Sequence, residues 1–320
     1  MIQGNKLDNR STVTEFLLMG FSDDRDLQFL HFSMFLFIYL TALMGNFLII
    51  IAVALDHHLH TPMYFFLVNL SLTDICYIST TIPKSLATSL TNDKTISFAG
   101  CVAQVFLVIT CAGSELVLLT IMAYDRYVAI CYPLQYILIM RKDVCFHLAA
   151  ASWLSNLIDA LLQTCTSFSL NFCGSNMIGQ YFCDIPQLQK ISCSDTKVSK
   201  LVIFMTMIIV DSFCTGLIFV SYGYIFSAVQ KIPSVQGKYK AFSTCIPHLT
   251  VFSFFIITGV FSYMRPKALS SRTIDLLSAV FYTVLPPLLN PIIYSFRNKD
   301  IQAGIWKMPK EVRQVEDSNK

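Results

Sequence analysis

The sequence predicts an all-α protein, a bundle of seven transmembrane helices with a short cytoplasmic amphipathic helix after the seventh. Three observations carry that prediction. Hydrophobic side chains make up 54% of the 320 residues and charged ones only 13%, and the mean hydropathy is +0.58, too apolar for a water-soluble domain of this length. Long runs with no charge, or with a single acid, recur along the chain. The segments between these runs are short and polar, as connections at a membrane surface should be.

A membrane helix needs roughly 20 consecutive apolar residues, and seven stretches qualify. Span 1, Leu27 to Leu55, is unbroken. Span 2, His57–Pro83, carries Asp74; span 3, Thr95–Tyr124, carries Glu115; span 4, beginning after Val144, carries Asp159; span 5, Leu201–Gln230, carries Asp211. Spans 6 and 7, Ala241 to Met264 and Leu276 to Phe296, contain no Asp, Glu, Lys or Arg. Residues 1–26 form a polar N-terminal tail, 27–300 the seven-helix domain and 301–320 an amphipathic helix and tail. The tail is too polar for a cleavable signal peptide and the first apolar run too long for a signal-peptide core, so span 1 is expected to act as the insertion signal.

Lysine and arginine divide almost evenly between the two sides, so the positive-inside rule does not orient the bundle. Other residues do. Asn9-Arg10-Ser11 is a glycosylation acceptor, of use only if the tail is lumenal or extracellular. A second match, Asn69-Leu70-Ser71, falls inside span 2, out of the transferase's reach. Cys101, Cys173, Cys183 and Cys193 lie on the side of the N-terminus, where an oxidising compartment allows three pairings among them. The other cysteines read as small buried residues. With the N-terminus outside, seven crossings put the C-terminus in the cytoplasm.

The connection between spans 4 and 5, roughly 167–200, is the long one and holds three of those four cysteines. Covalent pinning of such a loop suits a lid over a cavity, or simple stabilisation of an exposed segment. After Phe296, Ile301, Ile305, Trp306 and Met308 recur at helical spacing among polar residues, the pattern of a helix lying flat on the inner leaflet and ended by Pro309. The last ten residues are charged and apolar-poor. No internal repeat is present, against the many transporters built from inverted halves.

Acids within the membrane are costly and need a partner, an ion or a proton. At 1.5 Å per residue Asp74 and Glu115 both lie about 16–18 Å from the inner surface, Asn46 about 15 Å and Asn290 about 10 Å. Together they outline a polar layer across four helices. With no Lys or Arg at that depth, the two carboxylates require a cation such as Na⁺ or a shared proton, or else belong to a hydrogen-bonded network that keeps the helices in register. A paired-aspartate protease built on Asp74 and Asp211 is a poor reading, because neither acid sits in a glycine-flanked loop. His57, His58 and His60 lie in a short loop without a supporting carboxylate or cysteine, which argues against a metal there. No phosphate loop, activated nucleophile or dinucleotide fingerprint occurs, so the chain is not expected to be an enzyme and needs no cofactor beyond that Na⁺. The net charge of +3, with scattered basic residues, excludes nucleic acid as a partner.

The strongest local signal is Met122-Ala123-Tyr124-Asp125-Arg126-Tyr127-Val128-Ala129-Ile130-Cys131 at the inner end of span 3. It resembles the G-protein-coupled receptors, and as a whole string their olfactory branch. Pro62-Met63-Tyr64-Phe65-Phe66-Leu67, Ser221-Tyr222, Lys240-Ala241-Phe242-Ser243-Thr244-Cys245 with His248-Leu249, and Leu289-Asn290-Pro291-Ile292-Ile293-Tyr294-Ser295-Phe296-Arg297-Asn298 agree in order along the chain. The resemblance implies a multi-pass plasma-membrane odorant receptor, coupled to a stimulatory heterotrimeric G protein that raises cyclic AMP. It implies disulfides Cys101–Cys183 and Cys173–Cys193. Asp125, Arg126, Tyr127 and Tyr222 would form the coupling surface, with Asn290, Pro291 and Tyr294 the switch in span 7, where Pro291 removes a backbone hydrogen bond. Asp74 and Glu115 would be the sodium-linked pair. Ile256 stands where many olfactory receptors carry Tyr, and Pro247 where Ser is frequent.

By the same resemblance, Val108, Ile109, Ala112 and Gly113 face the cavity one to three turns below Cys101. Thr206 and Val210 of span 5, Gly259, Val260 and Tyr263 of span 6 and Thr283 of span 7 complete a mostly apolar wall, suited to a small volatile molecule held by shape and hydrophobic contact. Amine receptors place an Asp where this chain has Val108. Asp159, about 24 Å from the inner surface, either lines the pocket or bonds Gln163 one turn on. Asp211 is left with the same choice between ligand and structure.

Overall fold

The structure is a computed structural model and describes residues 13–22, 24–173, 175–263, 271–297 and 301–306. Among these are seven helices long and apolar enough to cross a membrane. In chain order they are α1 (Arg25–Leu55), α2 (Pro62–Thr91), α3 (Phe98–Cys131), α5 (Lys142–Phe168), α7 (Lys197–Gln230), α8 (Val235–Tyr263) and α9 (Arg272–Arg297). Two short helices lie between them, α4 (Tyr136–Ile139) in an inner loop and α6 (Ile185–Ile191) in the long outer one. A final helical segment covers 301–306.

Local chemistry sets the ends. Asp24 caps α1, its carboxylate accepting from the Asp26 and Leu27 amides at 2.8 and 3.3 Å, and Ser97 caps α3. Pro62 opens α2 at a position where its missing N–H costs nothing. Asn92, with φ 59°, ends α2 in the left-handed conformation that Asn tolerates better than most residues. The helices α7, α8 and α9 begin before their expected starts and α3 runs on past Tyr124 to Cys131, while spans 2 and 3 differ in kind at their first residues. Span 2 divides into a 3₁₀ turn, His57–Leu59, and α2, which runs through Pro83 to Thr91. Span 3 begins only at Phe98, because Thr95–Ser97 is a strand.

That strand, β2, belongs to a small sheet at the outer end, an addition to the all-α expectation. β1 (Glu15–Leu18) is central, antiparallel to β2 and parallel to β3 (Met177–Ile178). Part of the N-terminal segment read as a tail is therefore packed structure: Phe16 and Leu18 are buried against Cys101, Val105, Ile178, Cys183 and Leu188.

Within the bundle α3 is the central post, packed against α2, α5, α7 and α8, while α1 leans on α2 and α9. The outward faces carry Phe37, Leu154, Ile209 and Phe219 in the open. Exposed apolar side chains along whole helices suit a lipid solvent. The 301–306 helix tucks beneath the inner end of α1, with Ile301 fully buried and Trp306 exposed. A Cβ on Gly304 would meet Leu59 at 3.1 Å and Ala52 at 3.6 Å, so glycine permits the close approach. Met308 and Pro309 lie outside the described residues, as does Asn9.

Candidate functional site: outer pocket, buried polar layer and inner surface

At the outer end both implied disulfides are present, Cys101–Cys183 with Cα atoms 5.5 Å apart and Cys173–Cys193 with 5.9 Å. The first brings the long loop over the bundle. The Cys183 amide then donates to Gln104 Oε1 at 2.8 Å, and Gln104 Nε2 donates to the Thr80 carbonyl at 2.9 Å, tying the lid to α3 and α2. Tyr181 and Phe182, just before the cysteine, turn inward and are buried. They pack with Tyr77, Val108, Cys111, Leu276, Ala279 and Tyr282, and Ala112 flanks the group. The Tyr181 hydroxyl reaches Thr283 Oγ1 of α9, and outside the membrane spans burial pushes its phenol well above the ordinary range, so it stays protonated.

The residues expected to line the pocket divide accordingly. Val108, Ala112 and Thr283 meet beneath the lid aromatics. Ile109 flanks the neighbouring cluster around Cys183. Gly113 faces α5, where Asn156 occupies the space a side chain would need. Thr206 is half-buried and bonds back to the Ile203 carbonyl at 3.0 Å. Gly259 has open space around it, and Val210 and Val260 are exposed; the Tyr263 side chain lies outside the described residues. Asp159 accepts from Gln163 Nε2 at 2.7 Å, the internal bond rather than a free carboxylate. Asp211 lies on α7, which packs against α5.

At mid-depth Asp74 and Glu115 are fully buried and share one donor. Asn290 Nδ2 lies 3.1 and 3.0 Å from the two Asp74 oxygens and 3.1 Å from Glu115 Oε1. Glu115 Oε2 and Asn46 Oδ1 are buried without a hydrogen-bond partner among the described residues. One amide between two carboxylates, with orphaned oxygens beside it, fits a hard monovalent cation or a proton. Asn46 joins the layer differently from the expectation. Pro291 has no N–H to give the carbonyl of Pro287, four residues before it, and Asn46 Nδ2 fills that place at 3.0 Å while also bonding the Ala42 carbonyl at 3.0 Å. Gly45 lets Pro291 press in, since a Cβ there would lie 3.0 Å from its ring.

At the inner end Arg126 Nη2 pairs with Asp125 Oδ2 at 2.9 Å. The other Asp125 oxygen accepts from the Tyr136 hydroxyl of α4 at 2.8 Å. Burial, and then the adjacent Asp125 carboxylate, hold the Tyr136 phenol well above its ordinary range, which keeps it a donor. His248 Nε2 is 2.8 Å from the Leu119 carbonyl and its Nδ1 2.9 Å from the Tyr222 hydroxyl. A carbonyl only accepts, so Nε2 carries the hydrogen, Tyr222 donates to Nδ1, and α8 is tied to α3 and α7 at once. The Tyr127 ring meets Tyr132 edge to face and Tyr224 at a tilt, and Tyr294 is buried in the cluster that holds Leu67, Leu118, Leu119 and Met122, with its hydroxyl unpaired among the described residues.

Sequence reasoning quoted His248 only as part of a motif and passed over Gln104, Tyr136 and the Tyr181-Phe182 pair. His248, Gln104 and Tyr181 act through partners far along the chain, and Tyr136 bonds Asp125 across a turn, so no helical spacing marks them.

Comparison with known proteins agrees with this architecture. The family model described as olfactory receptor matches residues 35–311. Olfactory receptor 14A16 of Homo sapiens is 50% identical over 302 residues, 94% of this chain and 97% of the relative. Olfactory receptor 14C36 of Homo sapiens is 50% identical over 304 residues, 95% and 97% of the two chains, and olfactory receptor 1G1 of Gorilla gorilla gorilla is 46% identical over 300 residues, 94% and 96%. A match of this extent, over seven spanning helices and both outer disulfides, establishes that the chain belongs to the olfactory receptor family.

Proposed function

We propose that this receptor takes a small, mainly apolar volatile molecule in the outer half of the bundle and passes the event to a stimulatory heterotrimeric G protein, raising cyclic AMP. The observation that carries the reading is the meeting of Val108, Ala112 and Thr283 with Tyr181 and Phe182 under a lid pinned at Cys183. An apolar wall with a few hydroxyls selects by shape and by removal of apolar surface from water. The ligand displaces Tyr181 from Thr283, and that exchange links occupancy to α9.

Below, Asp74 and Glu115 hold Na⁺ or share a proton, with Asn290 as their common donor. Rearrangement there frees the lower part of α9 around Pro291, the outward swing of α8 breaks the His248 ties, and Arg126 leaves Asp125 to receive the G protein, with Tyr127, Tyr222 and Tyr294 around it. The N-terminus is extracellular, the C-terminus cytoplasmic and the site of action the plasma membrane.

Val108→Phe and Ala112→Phe test the pocket. Each should abolish the cyclic AMP response of expressing cells to an activating odorant, with surface expression retained. An unaltered dose–response curve for both would remove the pocket from this position.

A further inference from the structure

The turn between α1 and α2 holds His57, His58 and His60, which the signalling reading does not use. A 3₁₀ turn repeats every three residues, so positions 57 and 60 stand on one side and 58 is rotated away. The two rings meet edge to face, centroids 4.9 Å apart, with His57 Nδ1 and His60 Nδ1 separated by 3.4 Å. Both residues are exposed.

The other nitrogen of His60 decides the chemistry. Nε2 is 3.0 Å from the carbonyl oxygen of Val53, near the C-terminus of α1. That carbonyl is among the last of its helix and has lost its intrahelical partner. It only accepts, so Nε2 bears the hydrogen and Nδ1 presents its lone pair toward His57. The turn itself is fixed on both sides: Asp56 Oδ1 accepts from the His58 amide at 3.0 Å, and Leu59 is buried beneath Gly304 and beside Ala52.

The lack of a carboxylate or cysteine beside these histidines argues from sequence against a metal, but the ring geometry reverses that expectation, and we propose that His57 and His60 form a two-imidazole chelate for a late first-row divalent ion, Zn²⁺ or Cu²⁺, at this cytoplasmic turn. With metal–nitrogen bonds of about 2.0–2.1 Å and a tetrahedral angle, two ligating nitrogens stand about 3.3–3.4 Å apart, the spacing found here. Imidazole donors select such ions over Mg²⁺ and Ca²⁺, which require oxygen. A ligating histidine whose second nitrogen donates to a backbone carbonyl is the usual supporting arrangement, and Val53 supplies it. In the metal-free turn His57 Nδ1–H donates to His60. On binding, that proton passes through solvent to His57 Nε2, so both rings stay neutral and both Nδ1 lone pairs face the ion. No group of three His, Cys, Asp or Glu converges on a metal among the described residues, so water completes the shell and the ion exchanges. Bound, it ties the turn to α1 and stiffens the platform under the 301–306 helix.

The test uses the full receptor purified through a histidine-free tag, in nanodiscs. Cu²⁺ titration followed by electron paramagnetic resonance should show one site with two nitrogen ligands, and Zn²⁺ calorimetry one ion per chain. Affinity should fall at least tenfold in His57→Ala and in His60→Ala and stay unchanged in His58→Ala. Because His60 also supports Val53, His57→Ala is the deciding variant, and Zn²⁺ should raise the melting temperature of the unsubstituted receptor but not of that variant. Unchanged binding in His57→Ala, or an equal loss in His58→Ala, overturns the proposal.

Discussion

At the outer end the long loop over the bundle is joined to α3 by a covalent bond at Cys183, stitched to the N-terminal segment by a sheet, and bonded to α2 through Gln104. At the inner end the hydrogen bonds from α8 to α3 and α7 among the described residues run through one imidazole, and Arg126 pairs with one carboxylate. The chain-entropy relation assigns about 4–5 kcal/mol to closing a loop of separation 82 and about 3 kcal/mol to one of 20, whereas a neutral hydrogen bond such as those of His248 contributes about 0.5–1.5 kcal/mol net and one to a charged group, as at Arg126, about 1.5–3 kcal/mol. In the proposed mechanism the contrast separates what keeps its place from what moves. A binding surface works when it is already formed, and a switch works only when its two arrangements lie close in free energy.

The largest effects should come from breaking each side at its strongest point. Cys183→Ser should remove most receptor from the cell surface, read by flow cytometry of an N-terminal tag; normal surface levels would show that the sheet and Gln104 hold the lid unaided. Arg126→Ala should instead leave surface levels intact and eliminate the odorant-driven rise in cyclic AMP, and a surviving response would separate that residue from coupling. Asn46→Ala leaves the Pro287 carbonyl buried without its donor, which costs about 1–3 kcal/mol and should lower the melting temperature of the purified receptor by a few degrees. Smallest is Tyr136→Phe, which removes one of the two contacts on Asp125 and should raise basal cyclic AMP about twofold, on the scale of one lost hydrogen bond shared between two states. An unchanged basal level would place the restraint on Arg126 elsewhere.

The two ends also differ in how far they could be read from sequence. The spans were legible because lipid imposes a length and an absence of charge that any segment must obey, and Asp74, Glu115 and Asn290 were legible as one layer because helical rise converts residue number into depth. The cysteine pairing came only through resemblance, since four cysteines on one side are silent about partners. β1 was illegible: four residues, Glu15 to Leu18, become a strand only because segments far along the chain lie on either side. Among the residues expected to face a ligand, Val108 and Thr283 lie beneath the loop aromatics, whereas Gly113 faces Asn156 and Val210 and Val260 face outward, because a register carried over from a family fixes height along a helix better than rotation about it. Ile256 and Pro247 sit within α8, whose helix continues through the proline.

Asn46 has a mechanical consequence. By giving its two N–H groups to carbonyls of different helices, it makes the upper part of the seventh span and the middle of the first a single strut. Below that tie, six residues separate Pro291 from Arg297, about 9 Å at helical rise. In the proposed mechanism a short arm on such a pivot would turn a small rotation at the acids into a displacement at the Arg297 end of the helix, leaving the part beside Thr283 in place.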